Sequence, residues 1–381
     1  MKKKFLITTT IPITFVFFKD NLAYLNKIFD VAAISSQKDN LEKVGKSEGI
    51  KTHYIPMNRS ISPLKDLLGL FRFLVLFLKE RPDIVHGNTP KAAMLSMIAA
   101  KLTGVKVRIY MCHGLRHEGT SGKMKWLLMK MEKLTCAAAT EVICVSKGVR
   151  DSLIKDALCN DKKAIIIHYG SAGGIDLKRF NGGTTENENI RKELGIASND
   201  FIFAFAGRIV KDKGINELVS SFVKLQAVKH SVHLLLIGEE ENGLNPINNE
   251  SRMHINQNKN IHAVGWQNDI RPYLLSSNAF VLPSYREGFG MVLLEAGALG
   301  LPCITSDISG CNEIIIQGEN GAIIPSQNEN ELYEKMKEWL EQPEKIAYMA
   351  GKARNLVKKR YEQSTVWKAL LNEYIRLVDN V

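Results

Sequence analysis

The chain has 381 residues, enough for two domains of ordinary size with a core each. Hydrophobic residues make up 45% and charged residues 24%, which excludes a disordered or fibrous protein. The net charge of +11 suits an anionic partner such as nucleotide phosphates, a lipid headgroup surface or nucleic acid. The 6 cysteines have no C-x-x-C spacing and lie mostly in apolar runs, which predicts buried, reduced thiols in a cytosolic protein.

The first residues imitate a secretory signal, because three lysines precede an uncharged run over residues 5–18. Pro12 interrupts the run and no small-residue cleavage site follows it. We predict instead a strand over residues 4–9 that opens into an apolar loop. No uncharged apolar run approaches the length of a membrane-spanning helix, so a soluble or peripheral protein is predicted.

Short apolar runs alternate with helical patterns, which is typical of parallel sheets covered on both faces. The predicted strands are residues 4–9, 31–35, 52–55, 83–86, 107–112, 141–145 and 164–168, then 201–206, 233–237, 261–264, 279–282, 303–305 and 322–324. Helices are predicted between them, among others over residues 214–226, 291–299 and 329–340, and a last helix over 365–378. The predicted fold is α/β, with two Rossmann-like, doubly wound domains facing a cleft.

A glycine-bearing segment from residue 170 to 183, followed by the polar residues 184–189, is the predicted hinge. The predicted domains are residues 1–172 together with 365–381, and residues 173–364. The last helix is therefore expected to return to the first domain.

Two predicted strands of the first half end in a histidine followed by glycine, at His86 and His113. A lone histidine is more often structural than chemical, but two at equivalent strand ends favour positions that face a ligand. The residues after His113 are not an H-E-x-x-H motif, and the chain has no Asp-x-Asp pair. No metal site is predicted.

In the second half, a strand ends in Gly207 and Arg208, and Lys213 follows at the start of a helix. Two cations beside the free N–H groups of a helix start are typical of a diphosphate site, in which arginine can bind bidentately. The alternative is a loop with two solvated cations.

A later strand, over residues 279–282, leads into the loop that contains Glu287 and a helix that contains Glu295. Both glutamates are predicted to line a pocket over the end of the strand, with helix N–H groups between them. The alternative is a strand–turn–helix with one capping and one surface glutamate.

In combination, these motifs resemble those of the retaining, nucleotide-sugar-dependent glycosyltransferase family 4, which has the GT-B fold. The matching positions are 83–86, 145–146, 170–171, 174–176, 207–214, 237–238, 264–266, 282–284, 287–296, 300–302, 310–313 and 320–321. The Gly-Ser and Gly-Ile-Asp variant at 170–176 and the loop at His113 are similar to the branch that builds capsule, O-antigen or lipid-linked oligosaccharides in bacteria.

The resemblance implies four catalytic residues. Arg208 and Lys213 would hold the diphosphate and stabilise the leaving nucleotide, as transition-state charge stabilisation requires. Glu287 would hold sugar hydroxyls without acting as a covalent nucleophile, and His113 would reach the sugar from the first domain, the acceptor side. Glu295 would accept both ribose hydroxyls. The remaining implied binding residues act largely through their backbones, at Phe289, Gly290 and Met291 for the sugar and phosphate and at Gly265 and Trp266 for the base.

The resemblance also implies the reaction. A hexose or N-acetylhexosamine would pass from a nucleotide diphosphate sugar, possibly UDP-linked, to an undecaprenyl-diphosphate-linked or other saccharide, with an α-linkage. No cofactor, metal or nucleic acid is expected, and the protein would be cytoplasmic and peripheral on the inner face of the plasma membrane. A sugar-nucleotide 2-epimerase of similar fold and a two-domain sugar-binding protein are the alternatives.

Three segments leave questions open. The loop over residues 8–18 lacks the glycines of many relatives, so its threonines could contact an acceptor or pack on their own domain. Residues 123–134 give one stripe predicted to be core (Met124, Leu127, Leu128, Met131 and Leu134) and one basic stripe with Trp126. The basic stripe either docks on an anionic membrane or consists of solvated lysines around one tryptophan. Residues 64–78 are apolar on nearly all sides, either a buried helix or a second membrane contact.

Overall fold

The structure is a computed structural model that describes residues 2–182, 187–241, 243 and 245–381. It contains two compact units. Unit 1 is Met1–Gly174 with Gln363–Val381, and unit 2 is Ile175–Glu362. Part of the predicted hinge, residues 183–186, lies outside the described residues.

Unit 1 alternates strands with helices. In chain order its elements are β1 (Lys4–Thr8), α1 (Asn21–Asn26), β2 (Asp30–Ser35), α2 (Lys38–Glu48), β3 (Lys51–Tyr54), α3 (Pro63–Glu80), β4 (Ile84–Asn88), α4 (Pro90–Leu102), β5 (Val107–Cys112), α5 (Gly122–Ala138), β6 (Glu141–Cys144), α6 (Lys147–Lys155) and β7 (Ala164–Ile166). Short 3-10 helices lie at Pro12–Phe18 and Arg116–Gly119.

Unit 2 repeats the alternation, and its first strand follows a short helix. Its elements are α7 (Asn187–Glu193), β8 (Phe201–Ala206), α8 (Ile215–Val228), β9 (Val232–Ile237), α9 (Asn249–Gln257), β10 (Ile261–Ala263), α10 (Arg271–Leu275), β11 (Ala279–Leu282), α11 (Met291–Ala298), β12 (Cys303–Ser306), β13 (Gly321–Ile324), α12 (Glu329–Glu341) and α13 (Pro343–Tyr361). A 3-10 helix spans Lys211–Lys213, and α14 (Gln363–Asp379) ends the chain in unit 1.

Both sheets are parallel and doubly wound. The order is β3-β2-β1-β4-β5-β6-β7 in unit 1 and β10-β9-β8-β11-β12-β13 in unit 2. The order reverses between β1 and β4 and again between β8 and β11, where Ala279 pairs with Phe203 and Phe280 with Ala204. Ligands of such sheets bind beyond the strand ends at this reversal. Each predicted strand is present, and the predicted α/β class is confirmed.

The local sequence explains where many helices begin. The side chains of Ser146, Asn248 and Asn328 accept a backbone N–H three residues on and cap α6, α9 and α12. The central strands are buried on both faces, as parallel sheets covered by helices require; β8 and β11, for example, are buried along almost their full length.

The last helix returns to unit 1, as predicted. It buries Leu370 and Tyr374, and the Tyr374 ring lies 5.3 Å from the ring of Phe5 in β1, centroid to centroid. The Tyr374 hydroxyl lies 3.2 Å from His86 Nε2 in β4. Because α14 packs against β1 and β4, it closes the core of a unit whose other elements lie nearly two hundred residues earlier in the chain.

Two predictions about unit 1 are wrong. The stripe of α5 predicted to be core is largely exposed: Met124 is 50%, Leu127 36% and Leu134 50% exposed, although Leu128 is buried. His86 does not face a ligand, because β4 continues to Asn88 and holds the fully buried histidine inside the strand. In both cases periodicity located the element but did not show which side its neighbours would cover.

The structure also bears on the predictions for the cysteines, the first loop and membrane-spanning helices. All six cysteines are free thiols, and five of them are buried. Thr9 and Thr10 of the first loop are buried and bonded within unit 1, to Ser35 and Thr89, which fits packing on their own domain. Among the described residues, no helix combines the length and apolar content that a bilayer crossing needs.

Candidate active site

The loops after β8 and β11 meet at the point where the strand order of unit 2 reverses. Gly214 has φ +72, and a Cβ there would lie 2.1 Å from the carbonyl oxygen of Pro283. The Tyr285 N–H also donates to the Asp212 carbonyl at 2.9 Å. The loop with Arg208 and Lys213 is therefore held against the loop with Glu287, beyond the strand ends where ligands of such sheets bind.

At the centre of this contact Lys213 Nζ forms an ion pair with Glu287 Oε1. The two side chains are only 18% and 14% exposed. Ser284 Oγ donates to the same carboxylate oxygen at 2.9 Å. A poorly hydrated ammonium and a carboxylate whose position is fixed by two donors can offer a diphosphate and a sugar hydroxyl their preferred partners.

Arg208 lies in a different environment. It is 52% exposed, and its guanidinium donates to Glu241 Oε2 at 2.9 Å. An exposed pair of this kind contributes little to stability, so its partner can be exchanged at small cost. Arg208 is therefore available to an anion in a way that the enclosed Lys213 pair is not.

Sequence reasoning missed a second ion pair that joins the two loops. Arg286 donates to Asp212 Oδ2 at 2.9 Å, and Asp212 is 14% exposed. The Tyr285 hydroxyl donates to Glu217 Oε1 in α8 at 2.5 Å, and burial raises the pKa of that phenol. Charge at positions 212, 217 and 286 was visible in the sequence, but nothing in it indicated which pairs would form.

Glu287 and Glu295 lie where they were predicted, one in the loop and one inside α11. Burial raises the pKa of Glu295 to about 7, although the nearby Arg179 acts in the opposite direction. Among the described residues no hydrogen bond to this carboxylate is recorded. A half-buried carboxyl group without a protein donor is suited to accept hydroxyl donors from a ligand.

Of the three predicted backbone donors, two already donate to backbone carbonyl groups. The Gly290 N–H donates to the Gly310 carbonyl at 3.0 Å, and the Met291 N–H to the Phe289 carbonyl at 2.9 Å. The Phe289 N–H has no backbone acceptor among the described residues. A Cβ at Gly310, which has φ +75, would lie 2.4 Å from the Gly288 carbonyl oxygen, so glycine there allows the close approach.

The segment predicted to flank a base is joined through one glycine to the loop that contains Arg208 and Lys213. The Gly238 N–H donates to the Gly265 carbonyl at 2.9 Å. A Cβ on Gly238, which has φ +144, would lie 1.9 Å from the Gly207 carbonyl oxygen. Trp266 is 64% exposed beside this junction. Unit 2 thus brings together the backbone at positions 207, 238 and 265.

His113 belongs to unit 1, where it ends a hydrogen-bonded chain. Asn88 Nδ2 donates to His86 Nδ1 at 2.9 Å, and Asn88 Oδ1 accepts from His113 Nε2 at 2.9 Å. Because the amide oxygen only accepts, His113 carries its proton on Nε2 and its lone pair on Nδ1. Burial lowers the pKa of His113 to about 4, and Phe17 stacks on its ring. His113 is therefore neutral at pH 7.

Unit 1 also contains an open groove of about 1130 Å³. It is lined by the loop at Ile11 and Ile13, by amides such as Asn40 and Asn58, and by Met57. Arg59 is the one charged side chain among its described lining residues. A groove with apolar and amide walls and one arginine suits an amphiphile that carries an anionic group.

Among the described residues, no group of three or more histidine, cysteine, aspartate or glutamate side chains could hold a metal ion. In unit 2 the cations Arg208 and Lys213 each pair with a carboxylate, Glu241 and Glu287.

The fold and this site define a class: a two-unit α/β protein whose second unit brings two cations and two carboxylates together at the strand reversal. Family comparisons assign both units. Residues 23–172 match the model described as Glycosyltransferase Family 4, and residues 186–356 match Glycosyl transferases group 1.

Known proteins agree with this assignment. The chain is 32% identical over 349 residues to the capsular polysaccharide biosynthesis glycosyltransferase CapM of Staphylococcus aureus, covering 91% of this chain and 90% of that protein. It is 30% identical over 304 residues to the UDP-Gal:alpha-D-GlcNAc-diphosphoundecaprenol alpha-1,3-galactosyltransferase of Escherichia coli, covering 78% and 77%. The solved structure of Anabaena HepE in complex with UDP and glucose matches with a TM-score of 0.83 at 18% identity, over 98% of this chain and all of that one. The chain belongs to glycosyltransferase family 4, with the GT-B fold, and is a glycosyltransferase.

Proposed function

We propose that this protein is a retaining glycosyltransferase that moves a hexose or N-acetylhexosamine from a UDP-sugar to a lipid-linked saccharide in the synthesis of a cell-surface polysaccharide. The observation that carries the donor half of the proposal is the enclosed Lys213–Glu287 pair, at the strand reversal of unit 2, with the donor-poor carboxylate of Glu295 on the next helix. The names of the S. aureus and E. coli relatives support the acceptor half.

In this proposal Lys213 and Arg208 hold the diphosphate. As the bond between the anomeric carbon and the diphosphate oxygen breaks, negative charge develops on that oxygen, and the fixed ammonium of Lys213 stabilises it. Glu287 shares the ammonium and keeps its second oxygen for a sugar hydroxyl. Glu295 accepts the ribose hydroxyls, and the backbone at Gly265 and Trp266 lies along the base.

The acceptor hydroxyl attacks from the side that the diphosphate leaves. Its oxygen bonds to the anomeric carbon, and its proton passes to the departing diphosphate, so no protein nucleophile is consumed. Glu287 is held by Ser284 and Lys213, which fits a positioning role rather than covalent attack. UDP-hexoses commonly carry the sugar as the α-anomer, so the α-linkage in the name of the E. coli relative favours retention here.

We place the acceptor on unit 1, in the groove beside Arg59. A diphosphate-linked saccharide has an anionic group for that arginine and hydroxyls for Asn40 and Asn58. His113, neutral and with its lone pair on Nδ1, can accept from a sugar hydroxyl. The protein would then act peripherally at the inner face of the membrane that contains the acceptor lipid.

A donor screen tests the proposal. The purified protein is incubated with a panel of UDP- and other nucleotide sugars, with and without a diphosphoundecaprenol-linked N-acetylhexosamine. We expect acceptor-dependent UDP release and a product whose anomeric proton coupling in NMR shows an α-linkage. A β-linked product would refute retention, and epimerised donor without acceptor would favour the 2-epimerase alternative.

A further inference from the structure

Helix α3 is apolar on two opposite faces. Gly69, Phe73 and Phe77 are buried, and the absence of a side chain at Gly69 lets Leu95 of α4 approach to 3.2 Å from the position of a Cβ. The opposite face is exposed. Its members, the α3 stripe, are Leu64 (80% exposed), Leu67 (64%), Leu68 (57%), Phe71 (62%), Val75 (50%) and Leu78 (62%).

The stripe is continuous along the helix. At 100° per residue, these six positions fall within an arc of about 100°, over four turns of helix. Single exposed apolar side chains are ordinary, but contiguous apolar surface of this size marks a site of contact with another molecule or a membrane. The α3 stripe is a contiguous apolar face of this kind.

A row of cations borders the stripe. Lys65, Arg72 and Lys79 follow one another at seven-residue spacing, about 60–100° from the first leucine, and all three are exposed. None of them makes an ion pair within the part of the chain that the structure describes. The two acidic residues of α3 lie toward the packed face, where Asp66 pairs with Lys91 and Glu80 with Lys4. The open side of α3 is thus apolar and positive only.

We propose that the α3 stripe docks on an anionic lipid bilayer, with the helix parallel to the membrane plane. The leucines and Phe71 would enter the boundary between headgroups and acyl chains, and Lys65, Arg72 and Lys79 would lie at the level of the lipid phosphates. This inference rests on the proposed function and deepens it, because a lipid-linked acceptor would lie in a membrane.

Charge favours a bilayer over a second copy of the chain. No exposed carboxylate on α3 could pair with the cation row of a second copy. Two antiparallel copies paired through the stripe would place their cation rows beside each other, where like charges repel. An anionic lipid surface complements the row along its whole length. The position also fits the acceptor, because Arg59 of the groove in unit 1 lies four residues before the first residue of α3.

Vesicle flotation with the full-length protein tests the docking surface. Vesicles of phosphatidylglycerol and phosphatidylethanolamine are compared with vesicles of phosphatidylcholine alone, using wild type and the double variant Leu67→Ser/Phe71→Ser. The matched control is Leu102→Ser/Val228→Ser, which removes two side chains of similar exposure (67% and 65%) outside the stripe. Circular dichroism and the thermal midpoint confirm folding of each variant.

We expect wild type and the control to bind the anionic vesicles alike and the stripe variant to bind at least about tenfold more weakly, since two large apolar side chains would no longer leave water on docking. A second variant, Arg72→Glu/Lys79→Glu, should bind anionic vesicles more weakly than wild type, and its remaining binding should depend less on salt. Turnover of a water-soluble acceptor should stay unchanged in both variants, while turnover of a vesicle-embedded acceptor falls.

Three outcomes would overturn the docking surface. Wild type could fail to bind anionic vesicles, or the stripe variant could bind them as wild type does. Analytical ultracentrifugation could instead show a wild-type dimer that Leu67→Ser/Phe71→Ser makes monomeric without change in vesicle binding, which would assign the stripe to a second copy. Vesicle binding does not need glycosyl transfer, so the flotation result would still test the docking surface if the proposed function were wrong.

Discussion

Lys213 and Glu287 show how a site can hold a charge ready for a ligand. Both side chains are mostly enclosed, and an unpaired ammonium there would be costly to remove from water. Glu287 offsets that cost, and Ser284 fixes the carboxylate. A diphosphate then meets a cation whose position is already set, so little reorganisation remains for the reaction.

We expect Lys213→Ala to reduce glycosyl transfer by about 100-fold or more, because it removes the fixed charge beside the leaving oxygen and leaves Glu287 without its partner. The measurement is UDP release with donor and acceptor. The control is Lys211→Ala, an exposed lysine of the same loop, which should retain nearly full activity. Equal losses in the two variants would indicate a general effect of loop charge.

If Glu295 accepts the ribose hydroxyls, as we propose, we expect nucleotide binding to depend on pH. Its pKa is raised to about 7 by burial, and the ionised form is the better acceptor for ribose hydroxyls. UDP affinity should therefore rise with pH through about 7. In Glu295→Gln, affinity should be lower and this titration should be missing, as isothermal calorimetry between pH 5.5 and 8.5 would show. An unchanged profile in the variant would assign the titration to UDP itself.

The same pKa has a consequence for stability with a defined sign. A carboxyl whose folded-state pKa lies above its ordinary 4.5 binds protons more tightly in the native state. Its contribution to the free energy of unfolding is thus fully present below pH 4.5 and is lost as the pH rises through about 7. Urea titrations of Glu295→Gln should show a flatter pH dependence over that interval than wild type, and a steeper one would contradict the raised pKa.

At the scale of elements, three glycines bring the loops of unit 2 close together. Gly214 lies against Pro283, Gly238 against Gly207, and Gly310 against Gly288, each with a positive φ. The closest backbone atoms lie 1.9 to 2.4 Å from the positions that Cβ atoms would take. These glycines are required by the distance between loops as well as by their own dihedral angles.

A pair of glycine substitutions separates these two requirements. Gly195 has φ +67 with no atom within 4 Å of a Cβ position, so Gly195→Ala should cost about 1–2 kcal/mol of unfolding free energy. Gly214→Ala should cost about 1–3 kcal/mol more, because Pro283 must also move. Urea unfolding measures both. UDP binding should weaken only in Gly214→Ala, and similar stabilities would show that the overlap relaxes freely.

Helices α3 and α5 show that periodicity predicts a helix but not which of its faces is buried. Their apolar and basic positions predicted helices correctly. The stripe of α5 expected in the core is mostly exposed, whereas only one face of α3 is covered. A helical pattern shows which residues share a face of the helix. Which face is buried depends on the neighbouring helix, and here α4 packs against both α3 and α5.

For the whole molecule, the long return of α14 to unit 1 has the largest consequence. Tyr374 contacts Phe5 of β1 and the His86 ring of β4, so the core of unit 1 depends on the end of the chain. Its hydroxyl also meets His86, which bonds Asn88 and through it His113. The last helix thereby supports the orientation of a proposed site residue.

Tyr374→Ala should destabilise unit 1 by about 3–5 kcal/mol, because it leaves a large cavity between α14 and the sheet. Hydrogen exchange should become faster in β1 and β4, while β8 and β11 stay protected. Tyr374→Phe keeps the ring and should cost only about 1 kcal/mol. Uniformly faster exchange in both units after Tyr374→Ala would show that the units do not unfold separately.

The sequence alone determined the strands, the α/β class, the loops that carry Arg208, Lys213, Glu287 and Glu295, and the likeness to glycosyltransferase family 4. The strands, the class and the loops follow from local signals: apolar runs of strand length, glycines at turns and charges at the starts of helices. The likeness to the family rests on the ordered set of motifs along the chain. They need no knowledge of distant neighbours.

The tertiary structure alone decided the partners and the exposed faces. It paired Lys213 with Glu287 and Asp212 with Arg286, buried His86 inside β4, and left one apolar face of α3 uncovered. These features depend on contacts between segments far apart in the chain. Burial and ion pairing are properties of three-dimensional proximity, and a linear pattern offers each side chain several partners among which only packing chooses.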